Sequence, residues 1–384
     1  MKDWQRVLAP YVRSIEKRYD ALKYRLYDVL GGPGPVKILA YRGYGTPERF
    51  FIKGRVLKDR GVTRAAEEDR LWDNLLNAYK RLASREIPHA RLQARFRGQT
   101  QEIEADEEGM FELWIEPEAP LPQDQTWHEV TLDLLEPKVE EQETPVRTTG
   151  RVLIPPPDAE YGVVSDIDDT ILQTNATSLL RMARTVFFEN AHTRLPFRGA
   201  AAFYRALHAE KNPLFFVSNS PWNFYDLLAQ FFELQDIPGG PLLFLRNWGV
   251  YWDELLPTDH EKHKLPVIRQ ILDLYEDLPF ILIGDSGESD PEIYYQLVQE
   301  YPDRILAIYI RNVSRGPGRP ETIRALAEQV VDVGSSLVLA DDSLSMARHA
   351  VNNGWIAPQA LQAVKREKEK DEVPPGDFEQ LLQS

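Results

Sequence analysis

The hydrophobic rhythm of the chain changes twice along its length. Over residues 3–30 the apolar positions Leu8, Tyr11, Val12, Ile15, Tyr19, Leu22, Leu26 and Val29 recur at three- and four-residue steps. That spacing predicts one amphipathic helix. The run ends at Gly31-Gly32-Pro33-Gly34-Pro35, a linker sequence. From 36 to 153 the period falls to two. Alternation predicts strands at 36–41, 50–57, 91–96, 101–105, 110–115, 127–134 and 147–153, with a helix over 65–84 between them. Seven short alternating strands imply a β-sandwich-like domain. Pro155-Pro156-Pro157 then marks a stiff boundary. Beyond it, continuous apolar runs at 162–165, 214–217, 242–245, 280–283, 305–310 and 336–339 alternate with helical patterns. Such runs predict an α/β domain whose parallel sheet is covered on both faces. The expected organisation is an N-terminal helix and linker (1–35), a β-domain with a helical insert (36–157), an α/β domain (158–357) and a charged helical tail (358–384).

Composition narrows the function classes. The net charge of −15 opposes nucleic-acid phosphates over most of the surface, so no nucleic-acid partner is expected. The chain has no cysteine, which removes disulfides, zinc–thiolate sites and any thiol nucleophile. No apolar stretch approaches the roughly 20 residues of a membrane span, and no signal sequence is visible at the start, so the expected location is cytoplasmic. The 3–30 helix carries Arg6, Arg13, Lys17, Arg18, Lys23 and Arg25 beside its stripe. It suits peripheral contact with an anionic membrane, although docking on the protein's own sheet is the commoner use of such a stripe.

The chemistry gathers at the ends of the apolar runs, where parallel sheets bind their ligands. The first run leads into Asp166-Ile167-Asp168-Asp169-Thr170. In extended chain, residues i and i+2 face the same way, so Asp166 and Asp168 share a side. Two carboxylates that close repel unless a cation lies between them, and carboxylate oxygens are ligands that Mg2+ favours. A helix cap would use one such Asp, not three. The second run ends in Ser218-Asn219-Ser220-Pro221, which reads either as a phosphate cradle or as a plain cap. Lys264 opens a predicted helix at 264–275, where a cation opposes the helix dipole and needs solvent or an anionic partner; Lys262 competes for that role. The fourth run enters Gly284-Asp285-Ser286-Gly287-Glu288-Ser289-Asp290-Pro291. Asp285 reads as a metal ligand, and Asp290 as a ligand or a helix cap.

In this order, Asp166-x-Asp168-x-Thr170, Ser218, Lys264 and Gly284-Asp285-x-x-x-x-Asp290 resemble the four motifs of the haloacid-dehalogenase superfamily. The stretches SDIDDTI, FFVSNSPWN, HKLPVIRQIL, LIGDSGESDPEIY and ILAIYIRNV further resemble the catalytic domain of the actin-patch phosphatidate phosphatase family, including its bacterial relatives. The resemblance runs over about 161–356. It departs at Glu288-Ser289, where Gln-His is expected; since no motif carboxylate is involved, the departure touches substrate detail.

The resemblance implies a Rossmann-like haloacid-dehalogenase sheet with a minimal cap, and a Mg2+-dependent phosphatase working through an aspartyl-phosphate. Asp166 would be the nucleophile and Asp168 the general acid and then base. Ser218, Asn219 and Lys264 would hold the phosphoryl oxygens. Asp166, Asp285, Asp290 and the backbone carbonyl of Asp168 would hold the metal. An Asp at position 168 marks phosphatase and mutase branches of the superfamily.

The segment between the first two motifs leaves room only for a short insert, 178–191, which carries Arg181, Arg184, Phe187 and Phe188. An open site suits a bulky phosphomonoester such as phosphatidate or another phosphorylated lipid. A phosphoprotein or soluble phosphomonoester is the alternative substrate, and an interaction protein that works through the β-domain is the alternative class. Asp341-Asp342 reads as a helix cap, and Arg348-His349 falls within a helical pattern rather than a phosphohistidine motif.

Overall fold

The computed structural model describes residues 35–58, 85–138, 145–171, 197–222, 225–246, 261–313, 316 and 318–370. The helices expected at 3–30 and 65–84, the 178–191 insert with its Arg and Phe residues, and the last part of the tail lie outside the described residues.

The alternating region forms a β-rich unit. Its strands are β1 (Val36–Ala40), β2 (Gly43–Gly45), β3 (Phe50–Lys58), β4 (Arg85–Glu86), β5 (Arg91–Phe96), β6 (Gln99–Glu104), β7 (Met110–Ile115), β8 (Trp127–Glu136) and β9 (Arg147–Leu153). They join in one hydrogen-bonded network in the order β1-β3-β2-β9-β8-β5-β6, with β4 and β7 also on β3. The pairing is antiparallel apart from β2 with β9. One set of alternating side chains, including Phe50, Ile52, Val56, Leu92, Phe111, Val130, Leu132 and Val152, fills a common core. This is what period-two patterning produces when one face of each strand is buried. The alternation missed β2 and β4, which are too short to show a period.

The second half is α/β. Its strands are β10 (Gly162–Asp166), β11 (Leu214–Pro221), β12 (Leu242–Arg246), β13 (Phe280–Asp285), β14 (Ile305–Arg311) and β15 (Leu337–Ala340). All neighbours pair parallel, in the order β12-β11-β10-β13-β14-β15. Helices alternate with them: α1 (Ala200–His208), α2 (Tyr225–Leu234), α3 (Glu261–Leu274), α4 (Asp290–Glu300), α5 (Arg319–Val331), α6 (Ser343–Asn352) and α7 (Pro358–Lys370). Two apolar clusters line the sheet's faces, one with α1 and α2 and the other with α3 and α4. Strands buried on both sides explain the unbroken apolar runs. The chain runs from β10 to β11 and β12 on one side, then returns to β13 on the other side of β10. This reversal opens a crevice at the carboxyl ends of β10 and β13.

Two contacts set the frame around that crevice. The β-rich unit packs on the α/β unit through Tyr41, whose ring stacks on Trp222 with centroids 4.4 Å apart. The Tyr225 hydroxyl accepts from the Arg42 backbone N–H at 2.8 Å. Trp222 follows directly on β11, so the β-rich unit braces the strand that carries Ser218. At the other side α7 docks through the fully buried Val364 and through Arg205–Glu367 and Lys368–Asp342 pairs at 2.5 and 2.6 Å. Asp342 caps α6, accepting from the Ser345 N–H at 2.8 Å. His349 lies within α6, its Nδ1 3.1 Å from the Tyr309 hydroxyl.

Candidate functional site

Each motif side chain reaches the crevice from a separate element. Asp166 is the last residue of β10 and Asp285 the last of β13, so adjacent parallel strands place them side by side. After Asp168 the chain turns sharply, with Asp169 in the left-handed region at φ 52°, a conformation Asp tolerates better than most residues. The base of the turn is held from behind. The Arg311 guanidinium, at the end of β14, donates to the Thr170 carbonyl at 2.9 Å and to Ser343 Oγ at 2.9 Å. Ser165 Oγ lies 2.6 Å from the Tyr204 hydroxyl and donates to the Asp166 carbonyl at 2.7 Å.

Lys264 comes in from the first turn of α3. Its ammonium is 1% exposed and donates to Asp166 Oδ1 at 2.8 Å, Asp290 Oδ1 at 2.7 Å and Glu288 Oε2 at 3.0 Å. The anionic partner that a cation at a helix start requires is thus a set of three carboxylates. Asp290 opens α4 yet does not cap it. Its Oδ2 accepts the Asp285 backbone N–H at 3.2 Å while its Oδ1 serves Lys264. Gly284 makes room for this: a Cβ there would lie 2.4 Å from Asp290 Oδ2. Asp285 Oδ1 accepts the N–H groups of Gly287 and Glu288 at 2.6 and 3.1 Å, which curls the loop back over the strand end.

Ser218 sits on β11 and donates from Oγ to Asp168 Oδ2 at 3.0 Å. The pair orients the half-buried Asp168 carboxylate at the mouth of the crevice. The side chain of Asn219 lies outside the described residues. Of the expected site residues, Asp166, Asp285, Asp290 and Lys264 therefore form one buried contact network, with Ser218 and Asp168 as an adjoining pair.

Two carboxylate oxygens in the network are buried without a hydrogen-bond partner, Asp166 Oδ2 and Asp285 Oδ2. Asp166, Asp285 and Asp290 each offer an oxygen within 4.8 Å of the others. Unpaired buried carboxylate oxygens are costly, and a hard divalent cation is one group that satisfies them. The donor set fits a metal on Asp166 and Asp285. Asp290 offers a third oxygen within reach of that pair, while its Oδ1 accepts from Lys264 and its Oδ2 from the Asp285 N–H. Asp168 lies outside the trio through its side chain.

The charges follow the same geometry. Burial pushes the Asp166 and Asp285 carboxyls well above the usual range, against the pull of Lys264. Burial also raises Asp290. Burial pushes the Lys264 ammonium down, but Asp166, Asp290 and Glu288 together outweigh it and hold the amine well above its usual value. Arg311 is lowered by burial to about 10.

Some supporting residues carry no motif. Arg319, at the start of α5, donates to the Ser286 carbonyl at 2.9 Å and to the Glu288 carbonyl at 2.6 Å, and pairs with Glu292 of α4. It fixes the loop that bears Asp285 and Glu288. The only sequence trace of this role is a long cation at a helix start, where it opposes the dipole, as Lys264 does.

Among known proteins, residues 161–312 match the model of the catalytic domain of phosphatidate phosphatase APP1. Phosphatidate phosphatase APP1 of Saccharomyces cerevisiae is 34% identical over 178 residues, 45% of this chain and 30% of the relative. An uncharacterized protein of Schizosaccharomyces pombe is 32% identical over 155 residues, 39% of this chain and 25% of the relative. The chain thus spans less than a third of the length of these curated relatives. A solved structure of a HAD family hydrolase from Deinococcus radiodurans, with bound phosphate and sodium, aligns to 52% of this chain and 100% of its own at 14% identity and a TM-score of 0.33, too loose a likeness to bear on the assignment. The matched stretch runs from Tyr161 just ahead of β10 to Asn312 just after β14 and contains Asp166, Ser218, Lys264, Asp285 and Asp290. The likeness to the APP1 catalytic-domain family is thus carried by residues 161–312, the stretch that holds the crevice.

Proposed function

We propose that this chain is a Mg2+-dependent phosphomonoester hydrolase that carries the phosphoryl group on Asp166 and acts on phosphatidate or a related lipid phosphate. The observation behind this reading is Asp166 itself. It is a buried carboxylate at a strand end, with one oxygen held by Lys264 and the other unpaired, in a trio with Asp285 and Asp290 whose carboxylates each offer an oxygen within 4.8 Å of the others.

The residues divide the work as follows. Asp166 attacks phosphorus, and the phosphoryl group passes to its carboxylate as the P–O bond to the leaving group breaks. Asp168, steered by Ser218 Oγ, gives its proton to the departing alkoxide. It then takes a proton from the water that hydrolyses the acyl phosphate. Lys264 donates to the phosphoryl oxygens as their charge redistributes. Asp166 and Asp285 would hold a Mg2+, which would supply positive charge against the dianionic phosphoryl group in an otherwise acidic crevice. Asp290 keeps Lys264 pointed at Asp166.

Support for the lipid substrate comes from the family match and from the name of the yeast relative. The test is phosphate release from phosphatidate in mixed micelles and from a soluble aryl phosphate, each with Mg2+ and with EDTA. Mg2+-dependent release with preference for phosphatidate is expected. Preference for the soluble ester would overturn the lipid assignment.

A further inference from the structure

Lys264 has three N–H donors, and all three are spent on carboxylates. A phosphoryl oxygen that reaches this ammonium must therefore take the place of one of them. The three acceptors differ in how readily they let go. Asp166 is 1% exposed and anchored at a strand end, and Asp290 is 0% exposed with its second oxygen on the Asp285 N–H. Glu288 is 30% exposed and reaches Lys264 from a loop by a longer side chain. Its backbone is clamped, since its N–H donates to Asp285 Oδ1 and its carbonyl accepts from Arg319. Only the side chain has to rotate outward for the exchange.

We propose that Glu288 is a built-in competitor of the phosphoryl group: its carboxylate and a phosphoryl oxygen take turns on the same N–H of Lys264, so Glu288 sets how tightly the site holds phosphate. The inference rests on the reading of Lys264 as the phosphoryl-binding cation. Such a competitor weakens every ligand held through its phosphoryl group alone, including the product, inorganic phosphate. It thereby speeds product loss and favours substrates that add contacts beyond the phosphate. Glu288 is in this sense a specificity-determining residue, and no bond is made or broken in its role.

The sign of one measurement decides the matter. Binding of inorganic phosphate to the full chain in excess Mg2+ is followed by calorimetry for wild type, Glu288→Gln and Glu288→Asp. Replacing a charged acceptor by a neutral one is expected to tighten phosphate about tenfold, since a tenfold change corresponds to about 1.4 kcal/mol, the scale separating charged from neutral hydrogen bonds. Glu288→Asp keeps the charge but loses the reach to Lys264, and it is expected to tighten phosphate roughly threefold, a smaller step on the same scale. A residue that merely shaped the loop would weaken binding when replaced. Unchanged or weaker binding in both variants overturns the competitor while leaving the phosphoryl site in place. Tightening by Glu288→Gln alone overturns it in favour of simple charge repulsion. Absence of phosphate binding in all three proteins overturns the phosphoryl site itself, and the competitor with it.

Discussion

Replacing Lys264 by methionine removes a buried ammonium from a group of acids while keeping most of the side chain's bulk. The structure sets the size of the effect. Lys264 is 1% exposed, and its bonds to Asp166 and Asp290 join it to groups 1% and 0% exposed. The Glu288 contact is 30% exposed on the acid side and adds little after solvent screening. Breaking a buried pair by removing one partner costs about 3–5 kcal/mol, because the remaining charge stays buried. The α/β unit that holds the site is a little over 200 residues long, and at that size about 1 kcal/mol lowers Tm by ~2–4 °C. Lys264→Met should therefore lower Tm by roughly 6–20 °C in metal-free buffer at neutral pH. The deficit should shrink as the pH falls, because Asp166 and Asp290 can then take up protons instead of remaining as unpaired charges. Thermal melts of wild type and variant in EDTA, across a pH series, measure both features. A variant that melts within about 2 °C of wild type at neutral pH would refute the view that Lys264 is the counter-charge of the site.

Three further outcomes are expected. Gly284→Ala puts a Cβ 2.4 Å from Asp290 Oδ2 and 2.7 Å from its Cβ; this should swing Asp290 off Lys264 and cut kcat/KM about 100-fold, the scale of a misplaced catalytic group, with the circular dichroism spectrum unchanged. Arg319→Ala frees the Ser286 and Glu288 carbonyls and should cost about 1.5–3 kcal/mol of stability, the scale of a charged hydrogen bond, read as a lower denaturation midpoint. Burial raises the Asp166 and Asp285 carboxyls above their usual 3.8, so the metal-free folded protein binds more protons than the unfolded chain; its stability should fall as pH rises from 3.8 through the raised values, and saturating Mg2+ should flatten that slope in urea titrations.

Much of the site was legible because its chemistry sits at strand ends. Asp166 and Asp285 each close an apolar run, and parallel pairing of β10 with β13 turns two distant sequence positions into neighbours. Lys264 was readable as a cation set against a helix dipole, and the structure supplies its acids. Glu288 stands out in the sequence only as a departure from the expected motif; that its side chain returns to Lys264 depends on the loop curl made by Asp285 and Arg319, which no local pattern encodes. Arg311, Tyr204 and Arg319 carry no motif, because each is a single polar residue within an ordinary helix or strand pattern, defined by partners far away in the chain. In the β-rich half the alternation located the long strands. It was silent on how β3 joins β1, β2, β4 and β7 in one network, since pairing partners are set by the packed core rather than by any strand's own period. The bracing of Trp222 by Tyr41 was likewise out of reach, as aromatic residues at a strand end read equally well as core.

The central claim is that Asp166 becomes phosphorylated during turnover. The most direct test is an acid quench of the full chain during turnover of a 32P-labelled phosphomonoester with Mg2+, followed by peptide mapping. The account predicts an acid-stable, hydroxylamine-labile label on the peptide that contains Asp166, absent in Asp166→Asn and absent in EDTA. Turnover of the same substrate that leaves no label on that peptide, or that persists in Asp166→Asn, would contradict it.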